Sequence, residues 1–394
     1  MNDLNVGGLP TAAALNAALL GRLATNLDLT QTQYEQARSA YGSVSAVLAA
    51  DPRPPLQNSK VFPQGSFALA TVVKPLDGQD NAFDVDLICR LGSSTALAPA
   101  EAKALIGTCL QADGRYRDKV KEHSRCWRIN YANEFHLDVA PVVPNGAAGD
   151  WIPDRKLHQW IATHPEAFAA WFNKLADQAR TTLLLEGRVL AKAEVVPFPS
   201  DPAERGWLRQ LVQLLKRHRE IWRQTLPPAS REFAPISIII TTLAAYAFAS
   251  IKQQQFATPL DLLAAIIDNI PSQVVQRTTE DGRTIWWIQS PVANENFANR
   301  WNENPAWPEC FFAWCNAVAT LFSSIGQAQG LDKSLGLLRE AFGASVADRT
   351  SREYGEFMRQ ARETGQLRLK SSGLAVSSSA VGSQVRPHTF YGDV

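Results

Sequence analysis

Two aspartates stand one residue apart inside an otherwise apolar segment of the chain. Asp84 and Asp86 belong to the stretch AFDVDLICRL, and its alternation of apolar and polar residues predicts a β-strand. Alternate residues of a strand share one face, so the two carboxylates should project side by side, with their Cα atoms roughly 6.5–7 Å apart. Close carboxylates repel each other unless a cation lies between them, and an all-oxygen pair suits Mg²⁺. For this pair alone, the alternative is an exposed edge strand whose polar face meets solvent.

Further residues with suitable chemistry lie on either side of this pair. Gly65 and Ser66 form a predicted turn, and Ser66 precedes Asp84 by 18 residues. A Gly-Ser turn offers backbone N–H groups at close approach and a hydroxyl group, which together can hold phosphate oxygens. Asp138 lies in a second apolar stretch, FHLDVAPVV, which also predicts a strand. Because carboxylates from neighbouring strands can converge on one pair of metal ions, these residues together indicate a metal-dependent site for a phosphate-bearing substrate.

The elements that must position these residues follow from hydrophobic periodicity. Residues 11–50 predict one or two helices, with Asp28 and Thr30 as candidate caps between them. The segment SRCWRINYANEFHLDVAPVVP predicts two strands joined at YANEF, and Asp281-Gly282 predicts the turn of another hairpin. The last 24 residues are rich in Ser, Gly and Val and predict a flexible tail. Further helices are predicted over 98–112, 165–179, 204–224, 236–252, 259–269, 305–325 and 331–345.

Composition limits the class of protein. The chain has 394 residues, of which 45% are hydrophobic, and this is enough for two lobes or one large bilobal unit. Its formal net charge of +1 gives no general signature of polyanion binding. Its five cysteines are odd in number and form no CxxC pair, so reduced thiols are expected. With no signal peptide and no uncharged apolar run of about 18 residues, a cytoplasmic protein without a membrane segment is expected.

The order of the motifs resembles a known superfamily. A Gly-Ser turn, then DVD, then a single strand aspartate is the pattern of the DNA polymerase β-like nucleotidyltransferases. The stretch VFPQGSFALATVVKPLDGQDNAFDVDLICRL resembles the core motif of the bacterial cGAS/DncV-like nucleotidyltransferases, called CD-NTases. HPEAFAAWF, WLRQLVQLLKRHREIW, ISIIITTLAAYA and ENFANRW are similar to stretches of that family in the same order. The resemblance covers roughly residues 40–345.

The resemblance implies a fold and a division of the chain. The expected class is α+β, a bilobal polymerase β-like nucleotidyltransferase with a mixed β-sheet catalytic lobe packed on a mainly helical C-terminal lobe. Residues 1–200 would form the catalytic core with its long N-terminal helix, and residues 201–370 would form the helical lobe that completes the nucleotide pocket. Residues 371–394 would form the flexible tail.

It also implies the roles of the acidic residues and the turn. Asp84, Asp86 and Asp138 would be the catalytic triad and would bind two Mg²⁺ ions, with Mn²⁺ as an alternative. Gly65 and Ser66 would hold the triphosphate.

Two nucleotide-binding residues are implied farther along the chain. Lys216, in QLLKRHR, matches a helix lysine that contacts the donor phosphates, and Ser237, in PISIIITT, matches a serine near the donor nucleotide. From the residues alone, Lys216 stands at helical spacing from Glu220. An ion pair on a solvated face is therefore the alternative for this lysine.

The implied activity is template-independent synthesis of a cyclic di- or trinucleotide second messenger from NTPs, with purines expected, by two-metal phosphoryl transfer. The implied setting is bacterial anti-phage signalling of the CBASS type, with a downstream cyclic-nucleotide-responsive effector. PHTFYG resembles tails that an E1/E2-like partner conjugates. Activation by duplex DNA is not expected, since no His/Cys cluster resembles the zinc insertion of the animal DNA sensor. The alternatives are a linear oligonucleotide synthase of the oligoadenylate synthetase kind, an RNA or protein nucleotidyltransferase, and a non-catalytic nucleotide-binding scaffold.

Overall fold

The chain forms two compact units that alternate along the sequence. The computed structural model describes residues 12–76, 83–92, 97–131, 135–154, 156, 158–190, 206–370, 373–376 and 383–385, and gives the backbone alone for 13, 14, 180–190, 368–370 and 373–376. The helical unit takes its described residues from Met1–Leu27, Leu175–Val274 and Pro305–Val394. The sheet unit takes its residues from Asp28–Lys174 and Val275–Asn304. These units are discontinuous, whereas the division predicted at residue 200 is continuous, and the domain boundaries stay a prediction.

Helices and strands both contribute to the described part of the chain. The α-helices are α1 (Ala12–Asn26), α2 (Gln31–Ala49), α3 (Pro54–Gln57), α4 (Gly65–Ala68), α5 (Pro99–Ala112), α6 (Pro165–Leu190), α7 (Trp207–Thr225), α8 (Ser237–Ile251), α9 (Pro259–Asn269), α10 (Ala306–Gln327), α11 (Leu331–Phe342) and α12 (Ala344–Glu363). The strands are β1 (Lys60–Pro63), β2 (Phe83–Arg90), β3 (Val120–Glu122), β4 (Trp127–Tyr131), β5 (Phe135–Pro144), β6 (Asp150–Pro153), β7 (Trp160–Thr163), β8 (Val275–Thr278), β9 (Thr284–Trp287), β10 (Leu367–Lys370), β11 (Gly373–Val376) and β12 (Ser383–Gln384).

The sheet unit is built on a mixed sheet. Its strand order is β1-β2-β5-β4-β3, with β6 pairing with β5 and with β7. Strands β2 and β5 are parallel, and the other neighbours are antiparallel. The predicted α+β class with a mixed sheet is confirmed.

One face of this sheet is apolar and the other carries the acidic residues. In β2, Phe83, Val85 and Leu87 are buried, whereas Asp84 is exposed and Asp86 is half-buried. The buried residues join a core with apolar side chains of α2 and α5, and each fully buried aliphatic side chain contributes about 1.5–3 kcal/mol. Since a one-residue slip would move the whole apolar set to the other face, this core fixes which side chains the opposite face presents.

Most of the predicted helices are confirmed with end points that differ by a few residues, but α6 continues from its predicted end at residue 179 to Leu190. Thr30 caps α2 as predicted, because its hydroxyl accepts from the Gln33 N–H and the Gln33 side chain accepts from the Thr30 N–H. The helix predicted over 331–345 ends earlier, since Gly343 adopts a φ of +99° between α11 and α12. Helix α12 was not predicted, although Ala347, Thr350, Tyr354 and Ala361 stand at helical spacing along it.

The two remaining small sheets belong to different units. Strands β8 and β9 form the predicted hairpin in the sheet unit. In the helical unit, β10 pairs with β11 and β12, so two short pieces of the segment predicted as a flexible tail are strands. Apart from Val385, the rest of 371–394 lies outside the described residues. Among the helices that the structure describes, none combines the length and apolar character needed to span a bilayer.

Candidate active site

The register of two parallel strands brings the predicted acidic residues together. Strand β2 pairs with β5 so that Asp86 stands opposite Asp138 and Asp84 stands opposite His136. Neighbouring strands lie about 4.8 Å apart, and paired residues point to the same side of the sheet. The three aspartates therefore share the face opposite the apolar core.

The predicted Gly-Ser turn lies directly beside Asp86. Gly65 has a φ of +59°, a left-handed conformation that favours glycine, and begins the single-turn helix α4. A Cβ atom on Gly65 would stand 2.8 Å from Oδ2 of Asp86. The N–H of Gln64 donates to the Asp86 carbonyl oxygen at 2.8 Å. The turn is thus anchored to β2, and only a residue without a side chain allows this approach to the carboxylate.

Ser66 and the residue after it fix the other end of the turn. The Ser66 carbonyl oxygen accepts from the N–H of Thr71 at 2.9 Å. The Phe67 ring lies 6.1 Å from the ring of Phe83 at the start of β2. These contacts place the turn at the same end of β2 as the aspartates.

An arginine that the sequence analysis did not single out contacts two of the aspartates. Arg128 of β4 stands opposite Asp138 in the antiparallel pair β4–β5. Its Nε and Nη2 donate to Oδ1 and Oδ2 of Asp138 at 2.7 and 2.8 Å. Nη2 also lies 3.4 Å from Oδ1 of Asp84. One guanidinium therefore bridges carboxylates from two strands.

The electrostatics of this face follow from partial burial and from these charges. Although the Asp84 side chain is exposed, the protein atoms around it displace part of its water, and this desolvation raises the pKa of the Asp84 carboxyl. The attraction of Arg128 opposes the rise, and the charge of Asp138 adds to it. The pKa of Arg128 is raised, chiefly by its hydrogen bonds to Asp138. Burial, assisted by the charge of Asp138, raises the pKa of the Cys126 thiol to about 12. Cys126 is therefore a neutral, protonated neighbour of the acidic residues at physiological pH.

The donor set suits a hard divalent cation, since it consists of carboxylate oxygens on one face. In the described part of the chain, however, no group of three or more Asp, Glu, His or Cys side chains is arranged to hold a metal ion. The guanidinium of Arg128 occupies oxygens of Asp138 and Asp84 that a metal would need. The residues present fit a divalent cation in their chemistry, and binding would require these contacts to change.

The two nucleotide-binding residues predicted farther along the chain lie in the helical unit. Lys216 is buried on α7, and Ser237 is the first residue of α8. Arg219, one turn after Lys216, donates to the Pro235 carbonyl oxygen at 3.1 Å and to the Ser237 hydroxyl at 3.3 Å. Glu220 forms its ion pair with Arg217, whose Nε is 3.8 Å from the carboxylate. The structure thus gathers the aspartates and the Gly-Ser turn in the sheet unit and places Lys216 and Ser237 in the other unit.

A signal for Arg128 was present in the sequence. The stretch CWRINY alternates, so Cys126 and Arg128 share a face, and a hairpin centred on YANEF sets Arg128 opposite Asp138. The observed pairing of Tyr131 with Phe135 has this symmetry, and their rings stack at 4.5 Å. Counting back from the predicted turn would have identified the arginine. Residues 132–134 of that turn lie outside the described part of the chain.

Comparisons with known proteins show what this chain is similar to. A family model described as the Second Messenger Oligonucleotide or Dinucleotide Synthetase domain matches residues 16–175. A protein named c-di-GMP synthase from Roseivirga ehrenbergii is 28% identical over 382 residues, which are 95% of this chain and 96% of that protein. The cyclic dinucleotide synthase CdnG of Bradyrhizobium diazoefficiens is 27% identical over 238 residues, 54% of this chain and 56% of that protein.

Solved structures share the fold. The structure of Bradyrhizobium diazoefficiens CdnG in complex with GTP has a TM-score of 0.62 at 20% identity, covering 86% of this chain and 99% of that one. The GTP-bound form of Vibrio cholerae DncV has a TM-score of 0.53 at 15% identity, covering 85% of this chain and 88% of that one. These likenesses confirm the predicted polymerase β-like architecture. The chain is therefore similar in sequence to a second-messenger nucleotide synthetase domain over residues 16–175, and similar in fold to bacterial CD-NTases.

Proposed function

We propose that the protein is a template-independent nucleotidyltransferase that joins purine nucleoside triphosphates into a cyclic dinucleotide second messenger. The observation that carries this proposal is the parallel register of β2 and β5, which makes Asp86 and Asp138 neighbours with Asp84 on the same face. A group of carboxylates beside a glycine turn suits metal-assisted phosphoryl transfer. In such reactions, positioning and charge neutralisation supply most of the rate.

The three aspartates would hold the metal ions. Asp84, Asp86 and Asp138 would bind two Mg²⁺ ions, or Mn²⁺ in their place, and the bound metals would lower the pKa of the attacking ribose hydroxyl and neutralise the departing pyrophosphate. Gly65 leaves open the space beside Oδ2 of Asp86 that a Cβ atom would fill, so any larger residue at position 65 would displace this carboxylate.

The other proposed residues act on the triphosphate. The backbone N–H groups at Gly65 and Ser66 would contact phosphate oxygens, and the ammonium group of Lys216 would offset charge on the donor. Ser237 would contact the donor nucleotide. In each transfer a ribose oxygen attacks the α-phosphorus, the bond to pyrophosphate breaks, and the hydroxyl proton leaves. The linear dinucleotide would then undergo a second transfer in the same site and close the ring.

The relatives support a dinucleotide product and purine substrates. The relative named c-di-GMP synthase matches nearly the whole chain, and two structural neighbours were solved with GTP. A relative named cyclic AMP-AMP-AMP synthase, from Acinetobacter, matches only 38% of this chain at 24% identity. We therefore favour a cyclic dinucleotide that contains guanine over a cyclic trinucleotide.

The proposed biological setting is anti-phage signalling of the CBASS type. A diffusible cyclic dinucleotide requires an effector protein that recognises it, and this effector is the proposed downstream partner. An E1/E2-like enzyme that conjugates the C-terminal tail stays a prediction from the tail sequence, most of which lies outside the described residues.

The proposal is tested by analysis of the products. The protein would be incubated with Mg²⁺ and all four NTPs, and with each purine NTP alone, followed by phosphatase digestion and mass spectrometry. We expect a phosphatase-resistant species with the mass of a cyclic dinucleotide and a requirement for GTP.

Other outcomes would support the alternatives. Products that phosphatase degrades would indicate a linear oligonucleotide synthase, and label transferred to added RNA or to protein would indicate a different nucleotidyltransferase. No consumption of any NTP with either Mg²⁺ or Mn²⁺ would favour a nucleotide-binding scaffold.

A further inference from the structure

The bridging contact of Arg128 is the most specific interaction on the acidic face. Its guanidinium makes a two-point contact with Asp138 and reaches Asp84 on the next strand but one. Two-point arginine–carboxylate pairs are stronger and more directional than single contacts. The accessible fraction of the side chain is 26% for Arg128 and 14% for Asp138, so solvent screens this pair only in part.

The backbone that carries Arg128 is held firmly from the opposite face of the sheet. The preceding residue, Trp127, is buried, and its indole Nε1–H donates to the Lys103 carbonyl oxygen of α5 at 2.8 Å. Gly107 of α5 lies so close that a Cβ atom there would stand 2.1 Å from the Trp127 ring. Strand β4 is therefore fixed against α5, and the pairing of Arg128 with Asp138 follows from that placement.

The guanidinium and a divalent cation would compete for the same oxygens. Both carboxylate oxygens of Asp138 accept hydrogen bonds from Arg128, whereas a metal ligand must direct an oxygen lone pair to the ion. Without a counter-charge, three carboxylates on one face would repel each other. Arg128 supplies such a counter-charge in the metal-free arrangement.

We propose that Arg128 is a positioning residue that holds Asp84 and Asp138 together in the metal-free enzyme and is displaced from both when a divalent cation binds. This inference rests on the proposed metal site. Before the metal binds, Arg128 stabilises the arrangement of the two aspartates. When the metal binds, breaking the contacts of Arg128 costs free energy and so weakens the affinity for the metal. A merely structural ion pair would stabilise the fold and leave the affinity for metal unchanged.

The test is a direct titration of the protein with Mn²⁺ alone. Binding is measured from the signal of free Mn²⁺ in electron paramagnetic resonance. Arg128→Gln removes the charge and keeps hydrogen-bonding capacity. We expect roughly tenfold tighter Mn²⁺ binding, the scale of one charge-assisted contact. Without metal, the melting temperature should fall by about 2–4 °C, and Mn²⁺ should raise it by more than in the wild type. Arg128→Lys should give an intermediate affinity, so the test stands if the glutamine variant fails to fold.

A matched control separates this effect from the general loss of an arginine. Arg115 forms an equivalent two-point contact with Asp113 away from the acidic face, and Arg115→Gln should leave Mn²⁺ affinity unchanged. Unchanged or weaker Mn²⁺ binding in both Arg128 variants would overturn the role of Arg128 and leave the proposed metal site standing. Failure of the wild type to bind Mn²⁺, or binding that Asp138→Asn does not weaken, would overturn the metal site and this inference together.

Discussion

Asp86 and Asp138 stand directly opposite each other across the parallel strands β2 and β5. The two residues are 52 positions apart in the sequence, so only the sheet makes them neighbours. The apolar core beneath β2 holds this register, because Val85 and Leu87 are buried between α2, α5 and the sheet. The packing of apolar side chains on one face of the sheet thus determines which polar side chains the other face presents.

The close approach of Gly65 to Asp86 gives the first prediction. Gly65→Ala should lower kcat/KM roughly a hundredfold, because the added Cβ would displace the Asp86 carboxylate and a misplaced catalytic group costs about that much. Gly282→Ala is the matched control, since Gly282 has a φ of +82° and open space around it. Both variants should lose about 1–2 kcal/mol of stability from the left-handed conformation. Similar turnover in the two variants would contradict a role for the Gly65 contact.

The contact between Gly107 and Trp127 gives a prediction about stability. Alanine normally stabilises a helix relative to glycine by about 1 kcal/mol. At Gly107 the new methyl group would collide with the Trp127 ring, and overpacking of this kind costs about 1–3 kcal/mol. Gly107→Ala should therefore lower the free energy of unfolding, whereas Gly42→Ala on α2, with nothing within 4 Å, should raise it. Chemical denaturation measures both, and a stabilising Gly107→Ala would show that Trp127 is not packed as described.

The buried histidine of α7 gives a prediction about pH. The Trp314 indole Nε1–H donates to Nδ1 of His218 at 3.1 Å, and burial lowers the pKa of His218 from 6.5 to about 4. The unfolded chain therefore takes up this proton at a higher pH than the folded protein does. The stability that the neutral, buried histidine contributes is fully present above pH 6.5 and is lost as the pH falls to 4. The free energy of unfolding should fall by about 3 kcal/mol over this range.

Chemical denaturation at several pH values between 4 and 6.5 tests whether the free energy of unfolding falls as the pH is lowered. His218→Gln keeps an acceptor for Trp314 and should reduce the fall in stability toward low pH. Equal slopes in wild type and His218→Gln would refute the neutral buried histidine.

Lys216 gives a prediction about substrate binding. Lys216→Ala should reduce kcat/KM for the NTP by about 1.5–3 kcal/mol of transition-state stabilisation, the scale of a charge-assisted contact. Lys252→Ala is the control, since Lys252 lies at the end of α8 and contacts Gln178 at 3.4 Å. Steady-state kinetics, with melting curves to confirm folding, would compare the two. Unchanged kcat and KM in Lys216→Ala would remove this residue from the phosphate site.

The sequence was sufficient to predict which side of β2 carries the aspartates, because alternation alone determines the face of a strand. It did not determine the register between β2 and β5, since α5, β3 and β4 intervene and alternation repeats every two residues. Arg128 could have been found by counting back from the hairpin turn.

The helical unit was less predictable from the sequence. Helix α12 buries Ala347, Thr350 and Ala361 and half-buries Tyr354 at helical spacing, yet no helix was predicted there. Its position also depends on polar contacts with α1, such as the hydrogen bond from Asn26 to Thr350 at 3.1 Å. Contacts between residues more than 300 positions apart cannot be read from local patterns.

The central claim is that the aspartates of β2 and β5 carry out metal-dependent nucleotidyl transfer. The most direct measurement is product formation from GTP and ATP with Mg²⁺ by Asp86→Asn and Asp138→Asn, compared with wild type and with Asp118→Asn at an exposed position of the same unit. We predict that both active-site variants fold with unchanged secondary structure and form no dinucleotide, whereas Asp118→Asn retains full activity. Dinucleotide synthesis at the wild-type rate by either active-site variant would contradict the account.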